Sequence, residues 1–326
     1  MKQQQYRIAA LAAAMAFAVA PAAHAQTPYP AKPIRVVDAY PPGGSTDIIA
    51  RLVGAKFQEI HGQQWIIDNR GGASGIIGAD YVAKSAPDGY TLLVLSGNHV
   101  IHPAFYKNMP YDIVKGFAPI TWMSDTAMVL AVHPSVPAKN VKELIAAAKR
   151  TPGKLNFASA GAGTATHMVA ELLKITAGLN AAHIPYKGGA PAALAAISGE
   201  VDVVTLTMPV AAPHVKRGTL RALAVTREKR SKAMPELPTI AESVPGFSVN
   251  NAAGLAAPAG TPRDAVVKIQ QTVVRILNMP DVRDKLLAIG MEPVGDTPEH
   301  YADYIRSEVA KWTKVVKVAG VETQAW

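Results

Sequence analysis

The chain has 326 residues, 49% hydrophobic and 17% charged, which excludes a disordered chain and is long enough for two domains with sizeable cores. It contains no cysteine, which removes disulfides, thiolate metal sites, iron–sulfur clusters, thiol nucleophiles and lipid attachment through an N-terminal cysteine. The formal net charge is +9, but the basic residues are scattered, with no run longer than pairs such as Lys149-Arg150 and Lys229-Arg230 and no aromatic stripe. Nucleic acid is therefore not an expected partner; the basic surface is compatible with a small anion.

The first 25 residues read as an export signal. Lys2 and Arg7 form the positive start, Ile8 to Ala20 an apolar stretch of 13 residues, and Ala23-His24-Ala25 an A-x-A cleavage site with Gln26 as the new N-terminus. Thirteen residues are too few to cross about 30 Å of hydrocarbon. The expected location is the periplasm, after cleavage behind Ala25.

Strand-like and helix-like segments then alternate. Ile34 to Val37 reads as a strand, followed by Pro41-Pro42-Gly43-Gly44-Ser45-Thr46-Asp47 and a helical pattern from Ile48 to Glu59. Ile66 to Asp68 is a second strand, Ala79 to Ser85 a short helix, and Thr91 to Leu95 a third strand, apolar after its threonine as expected of a strand covered on both faces. The rhythm restarts with a strand at Ala127–Val132 and a helix that Asn140 caps, running to Arg150, with Glu143 as capping-box partner. Leu155 to Ala158 is a strand that leads through Ser159-Ala160-Gly161-Ala162-Gly163-Thr164 into a helix ending at Ala177. His183–Tyr186, Val201–Leu206 and Leu220–Val225 are strand-like, and Ala190–Ser198 is helical. Helices start at Thr261-Pro262 and Thr297-Pro298. Their stripes, Val266, Ile269, Val273 and Ile276 in one and Tyr301, Ile305, Val309 and Trp312 in the other, are core. The alternation predicts an α/β protein with parallel sheets covered by helices. We expect a discontinuous first lobe, residues 26–124 plus 250–326, a second lobe, 125–249, and a ligand cleft between them.

Two glycine-rich loops carry the chemistry, Pro42–Asp47 and Ser159–Thr164. Each follows a strand and opens a helix, where glycine allows close approach and the helix offers N–H groups at its positive end, a setting for anions. Each is also readable as a tight turn with an N-cap at Ser45, Asp47, Thr164 or Thr166. Two such loops, one per lobe, predict a clamp that holds an anion from both ends. Gly161-x-Gly163-x-x-Thr166 lacks the third glycine of a dinucleotide site and no P-loop is present, so no cofactor is expected. Ser74 in Gly72-Ala73-Ser74-Gly75 misses the nucleophile elbow by one residue, and no histidine pair has metal-ligand spacing. His167 and Glu171 share a helical face, most simply as an interhelical hydrogen-bonded pair. No nucleophile, base and orienting group can be assembled, so an enzyme is not expected.

In order along the chain stand Tyr40-Pro41-Pro42-Gly43-Gly44-Ser45-Thr46-Asp47, Asp68-Asn69-Arg70, Ala86-Pro87-Asp88-Gly89-Tyr90-Thr91-Leu92-Leu93, Tyr106–Asp112, Ser159-Ala160-Gly161, Gly163-Thr164, His167, Pro185-Tyr186-Lys187-Gly188, Leu220–Thr226 and Ala257–Pro262. Together they resemble the Bug family, the periplasmic solute-binding receptors of tripartite tricarboxylate transporters. The resemblance implies a two-lobed periplasmic-binding-protein fold (type II) that closes on a ligand carboxylate. Pro42, Gly43, Gly44, Ser45, Thr46 and Asp47 are implied to anchor one carboxylate. The other lobe is implied to hold the ligand through Ser159, Ala160, Gly161, Gly163, Thr164, His167 and the turn Tyr186-Lys187-Gly188. Ser96, Asn98 and Thr207 complete the implied set. Where many members carry F-D-N before a proline, this chain has Thr205-Leu206-Thr207 ahead of Met208-Pro209. Losing an acid at Leu206 disfavours a ligand bearing an amino group. The implied partners are a small carboxylate, a permease of the tripartite type and, in a signalling role, a sensor-kinase ectodomain; a monomer is expected.

Overall fold

The computed structural model describes residues 29–320 and 323–325, so the export signal and its cleavage site lie outside the described residues. In chain order, β1 (Ile34–Asp38), α1 (Ser45–His61), β2 (Trp65–Asn69), α2 (Ile76–Ala83) and β3 (Thr91–Ser96) form the first α/β unit. A single turn, α3 (His102–Phe105), and β4 (Tyr106–Lys107) follow, then a ten-residue strand, β5 (Phe117–Thr126). One residue later β6 (Met128–Val132) opens the second unit. It continues through α4 (Val141–Arg150), β7 (Asn156–Ser159), α5 (Ala165–Ala177), β8 (Ala182–Pro185), α6 (Gly189–Ser198), β9 (Val203–Thr207), α7 (Met208–Lys216) and β10 (Arg221–Val225). The chain returns along β11 (Asn251–Pro258) and closes with α8 (Arg263–Leu277), α9 (Pro280–Ala288), β12 (Met291–Pro293), α10 (Pro298–Ala319) and β13 (Gln324–Ala325).

The strands form two main sheets, ordered β12-β5-β11-β3-β1-β2 and β10-β6-β9-β7-β8, and a small parallel pair, β4 with β13. The parallel sheets expected from the alternation are a correction: both are mixed. Strands β3, β1 and β2 run parallel, whereas β11 lies antiparallel to β3 and to β5, and β12 antiparallel to β5. In the second sheet β7 is parallel to β8 and β9, whereas β6 is antiparallel to β9 and β10. The cause is the crossing. The chain leaves the first sheet along β5, which runs in the direction of β1–β3, enters the second along β6, which runs against β7–β9, and returns along β11, which lies between β3 and β5 and runs against both.

Burial explains why the segments form. Every residue of β6 is buried, and alternation sends Met128, Leu130 and Val132 to one core and Val129 and Ala131 to the other. Helix α6 lies close on its sheet through Ala192, Ala193, Ala195 and Ala196. Tyr301, Ile305 and Trp312 of α10 are buried in the same core as β3 and α5, with Val309 packed partly buried against them. Asn140 caps α4, accepting from the Glu143 amide; the reciprocal Glu143 carboxylate takes the Lys139 amide and the Asn140 side-chain amide, a variant of the expected box. Where the sheets meet, Arg227 bridges Asp125 of β5 at 3.2 Å and Glu292 of β12 at 2.7 Å.

Candidate functional site

A cavity of about 820 Å³ opens between the two sheets. From the first sheet come the loop Tyr40–Thr46, the loop Gly71–Gly75, Ser96 and Asn98. From the second come Ala160–Ala162, the start of α5, the Pro185–Pro191 turn, and an apolar wall of Met128, Leu206 and Val210 beside Thr207. Among the described residues on this wall, Lys187 is the sole charged side chain and no carboxylate is present.

The first loop leaves a helix end open. Gly44 is the N-cap of α1 and supplies no side-chain cap, so the first-turn amides at Ser45 and Thr46 meet the cavity with the positive end of the helix behind them. Asp47 does not line the cavity; it is 4% exposed and holds the loop from below. Its carboxylate accepts from the Gly43 amide at 3.0 Å and from Asn69 Nδ2 at 3.2 Å, and pairs with Arg51 at 2.8 Å. Burial works against its charge, but the Arg51 guanidinium and these donors hold the acid below its ordinary pKa. Loop 71–75 joins through Tyr40, whose hydroxyl donates to the Ser74 carbonyl at 2.8 Å and accepts from Asn98 Nδ2 at 2.9 Å and Ser96 Oγ at 3.1 Å.

The second loop closes its helix end. Thr164 caps α5 by accepting from the His167 amide, and Asn98 Oδ1, reaching across from beyond β3, accepts from the Ala165 amide at 2.8 Å. Thr166 Oγ1 accepts from the Ala160 amide at 3.0 Å. Ser74 Oγ and Tyr106 OH both donate to the Ala162 carbonyl, at 2.7 and 3.0 Å. Gly163 allows this contact. Its φ is +71°, and a Cβ there would stand 2.9 Å from both Phe105 and Tyr106. Two other helix ends on this side stay without a side-chain cap: α6 behind Gly188 and α7 behind Thr207.

Pro42, Gly43, Gly44, Ser45, Thr46, Ser96, Asn98, Ala160, Gly161, Thr164, Tyr186, Lys187, Gly188 and Thr207 all reach this cavity. Asp47, Ser159, Gly163 and His167 do not. Ser159 is fully buried, its hydroxyl shared between the Gly161 backbone and His183 Nε2. His167 accepts from the Gly163 amide, stacks on His183 at 3.8 Å between ring centres, and lines a separate cavity of about 610 Å³ with Glu171, Lys174 and His183. Its pair with Glu171, 3.4 Å long, lies within α5, one turn apart, and is not interhelical. Burial opposes the Glu171 charge, yet His167 and Lys174 hold that acid down at about 2, while burial pushes His183 down to about 3. Sequence reasoning missed the Gly71–Gly75 loop as a wall of the site, although it shares the glycine-after-strand signal of the other two. It also missed Met128, Val210 and Asn251, whose plain strand and helix contexts carry no such signal.

A family model described as the tripartite tricarboxylate transporter family receptor matches residues 49–321. The chain belongs to this family. A curated relative from Pseudomonas sp. strain P51, the UPF0065 protein in the tcbD-tcbE intergenic region, is 38% identical over 290 residues, covering 88% of this chain and 86% of that protein. Among solved structures, R. palustris Rpa4515 with adipate is 36% identical and superposes with a TM-score of 0.87 over 91% of this chain and all of that one. The periplasmic binding protein BugD is 33% identical, with a TM-score of 0.85 over 91% of this chain and 100% of its own. MatC of Rhodopseudomonas palustris with bound malate is 30% identical, with a TM-score of 0.83 over 88% of this chain and 100% of its own. The fold is thus the two-lobed fold of periplasmic binding proteins, and the chain is a solute receptor of this family.

Proposed function

We propose that this receptor binds a small carboxylate or dicarboxylate in the cavity between the sheets and delivers it, outside the cytoplasmic membrane, to a permease of the tripartite type. The observation that carries the reading is the cavity wall, with an uncapped helix end, one lysine and no carboxylate among its described residues. Such a wall replaces the water around an anion and repels a cation. Two of the similar structures bear the acids adipate and malate, which supports the same ligand class here. The lobes are residues 26–124 with 250–326, and 125–249, and the export signal is cut after Ala25. Binding proceeds without chemistry. A hydrogen bond to a charged group nets about 1.5–3 kcal/mol, and micromolar affinity corresponds to about 8 kcal/mol. A few such bonds, less the cost of closure, reach that range.

A thermal-shift panel of C4–C6 diacids, citrate, aromatic acids and amino acids tests this. A ligand at a hundred times its Kd adds about 2.7 kcal/mol, a shift of several degrees. A shift confined to one carboxylate class is the expected result, with amino-bearing acids weak because Leu206 stands where an acid would be needed. No shift with any acid, and no acid released when the purified protein is denatured, would overturn the reading.

A further inference from the structure

Asp38 ends β1 beneath the first loop and is fully buried. Its Oδ2 accepts from Thr46 Oγ1 at 3.1 Å, and its Oδ1 has no hydrogen-bond partner among the described residues. Among the described residues no cation is in salt-bridge range of it. Arg51, on α1, is taken up by Asp47 and by Asn69 Oδ1. Of the flanking strands, β2 sets Asn69 beside Asp38, with the next residue, Arg70, bound to Asp68, and β3 sets the apolar Val94 there. The charge that faces it most directly is another carboxylate, Asp47. An ionised, unpaired carboxylate in such a place is costly, and the neutral acid relieves it. Burial, reinforced by the Asp47 charge, lifts its pKa to about 7, against the pull of the Thr46 hydroxyl, the Tyr40 amide and the Arg51 charge. Thr46, which touches it, also lines the cavity in the first turn of α1.

We propose that Asp38 is a proton-linked positioning residue of the ligand site: it stands as the neutral acid beneath Thr46 when an anion occupies the first turn of α1, so that ligand capture draws a proton from solution. The inference rests on the carboxylate reading of the cavity. An anion arriving above Asp38 further favours its protonated form. Capture is therefore unimpaired where Asp38 already holds its proton and weakens as pH rises through about 7, by at most about tenfold per pH unit for one linked proton.

The test is calorimetric titration of the purified protein and of Asp38→Asn with adipate and with malate, from about pH 5.5 to about pH 8.5 in buffers of different ionisation enthalpy. Asparagine keeps the shape and is neutral throughout. Expected are proton uptake by the native protein near and above neutral pH, none attributable to this site in Asp38→Asn, and an affinity ratio of variant to native that is near one in acid and rises with pH. The ratio cancels the ligand's own titration. A second arm needs no ligand. Because the folded pKa is raised, the stability Asp38 contributes is full below its ordinary range and declines as pH climbs towards 7, so the Tm gap in favour of Asp38→Asn widens over that interval. A ratio flat with pH, or native binding without proton uptake, overturns the proposal even where the acids bind. Failure of adipate, malate and every acid of the thermal-shift panel to bind either protein, with no acid released on denaturation, overturns the carboxylate reading and the coupling with it, while the unfolding arm still reports the proton on Asp38.

Discussion

At Pro42–Asp47 and at Ser159–Thr164 a strand gives way to glycine and then to a helix, yet different groups reach the amides of the two helices. At α1 the N-cap is glycine, and the nearby carboxylate, Asp47, is spent on Gly43, Asn69 and Arg51. At α5 the Thr164 side chain takes one amide and Asn98, 67 residues away, takes another. The first helix end has no side-chain cap from its N-cap residue; the second is taken up by Thr164 and Asn98. The lesson is that a glycine-rich turn before a helix marks a place where a backbone can be approached, and only the tertiary fold says whether a ligand or a distant side chain does the approaching. In place of two equivalent anion loops we propose one open helix end, which shares its cavity with Lys187 and the starts of α6 and α7, while Asn98, Ser74 and Tyr106 tie down the 160–165 loop.

The comparison breaks most sharply at Gly44. Its φ of −75° suits any residue, and a Cβ there meets nothing closer than 3.8 Å. In Gly44→Asp the new carboxylate caps α1 and occupies the place of the ligand. We expect at least about a hundredfold loss of affinity, the equivalent of losing one or two charge-assisted hydrogen bonds. Thermal stability should be unchanged or higher by a few tenths of a kcal/mol, because aspartate is a better N-cap than glycine. Calorimetry and thermal unfolding on one sample check both signs. Lys187→Gln comes next. The side chain is exposed and its attraction is screened, so we expect a loss of about three- to tenfold that shrinks as salt is raised.

Asn98→Ala sharpens the other side. It leaves the Ala165 amide without its partner from the first lobe, a loss of about 1 kcal/mol. Affinity should fall about fivefold for every ligand alike, with their ranking preserved, since Asn98 acts on the seam. A change of ranking would place Asn98 against the ligand itself. The smallest effect concerns the His167–Glu171–Lys174 cluster, away from the cavity. Glu171 has a depressed folded pKa of about 2, so its stabilisation is present above the ordinary glutamate range and is lost as pH falls towards 2. Glu171→Gln should therefore be less stable than the native protein near neutral pH, with the gap closing in acid and ligand affinity unmoved.

Much of the fold was legible because its βαβ units carry strong local periodicity, as in Thr91–Ser96 and in the α8 stripe Val266, Ile269, Val273 and Ile276, all buried. The two long strands at the crossings, β5 and β11, were not read as strands. Strand β5 contains Pro119 and mixes polar with apolar residues, and β11 reads Asn-Ala-Ala-Gly-Leu-Ala-Ala-Pro, with little β-branched or aromatic content. Both are strands because pairing satisfies their backbones: β11 lies between β3 and β5, and β5 between β11 and β12. Helix α7 was hidden by Pro209 and Pro213, the first tolerated because it sits in the opening turn. At the site, the loops were visible from local sequence, whereas the seal at α5 depends on Asn98 and the carboxylate under α1 on Asp38, contacts that only the packing of distant segments creates.

A crystal structure of the receptor with a bound acid, adipate first, tests the central claim most directly. The account predicts a ligand carboxylate within hydrogen-bond distance of the Ser45 and Thr46 amides, with Asn98 still on the Ala165 amide. A carboxylate seated on the start of α5 with Asn98 displaced, and the first turn of α1 left to solvent, would contradict it.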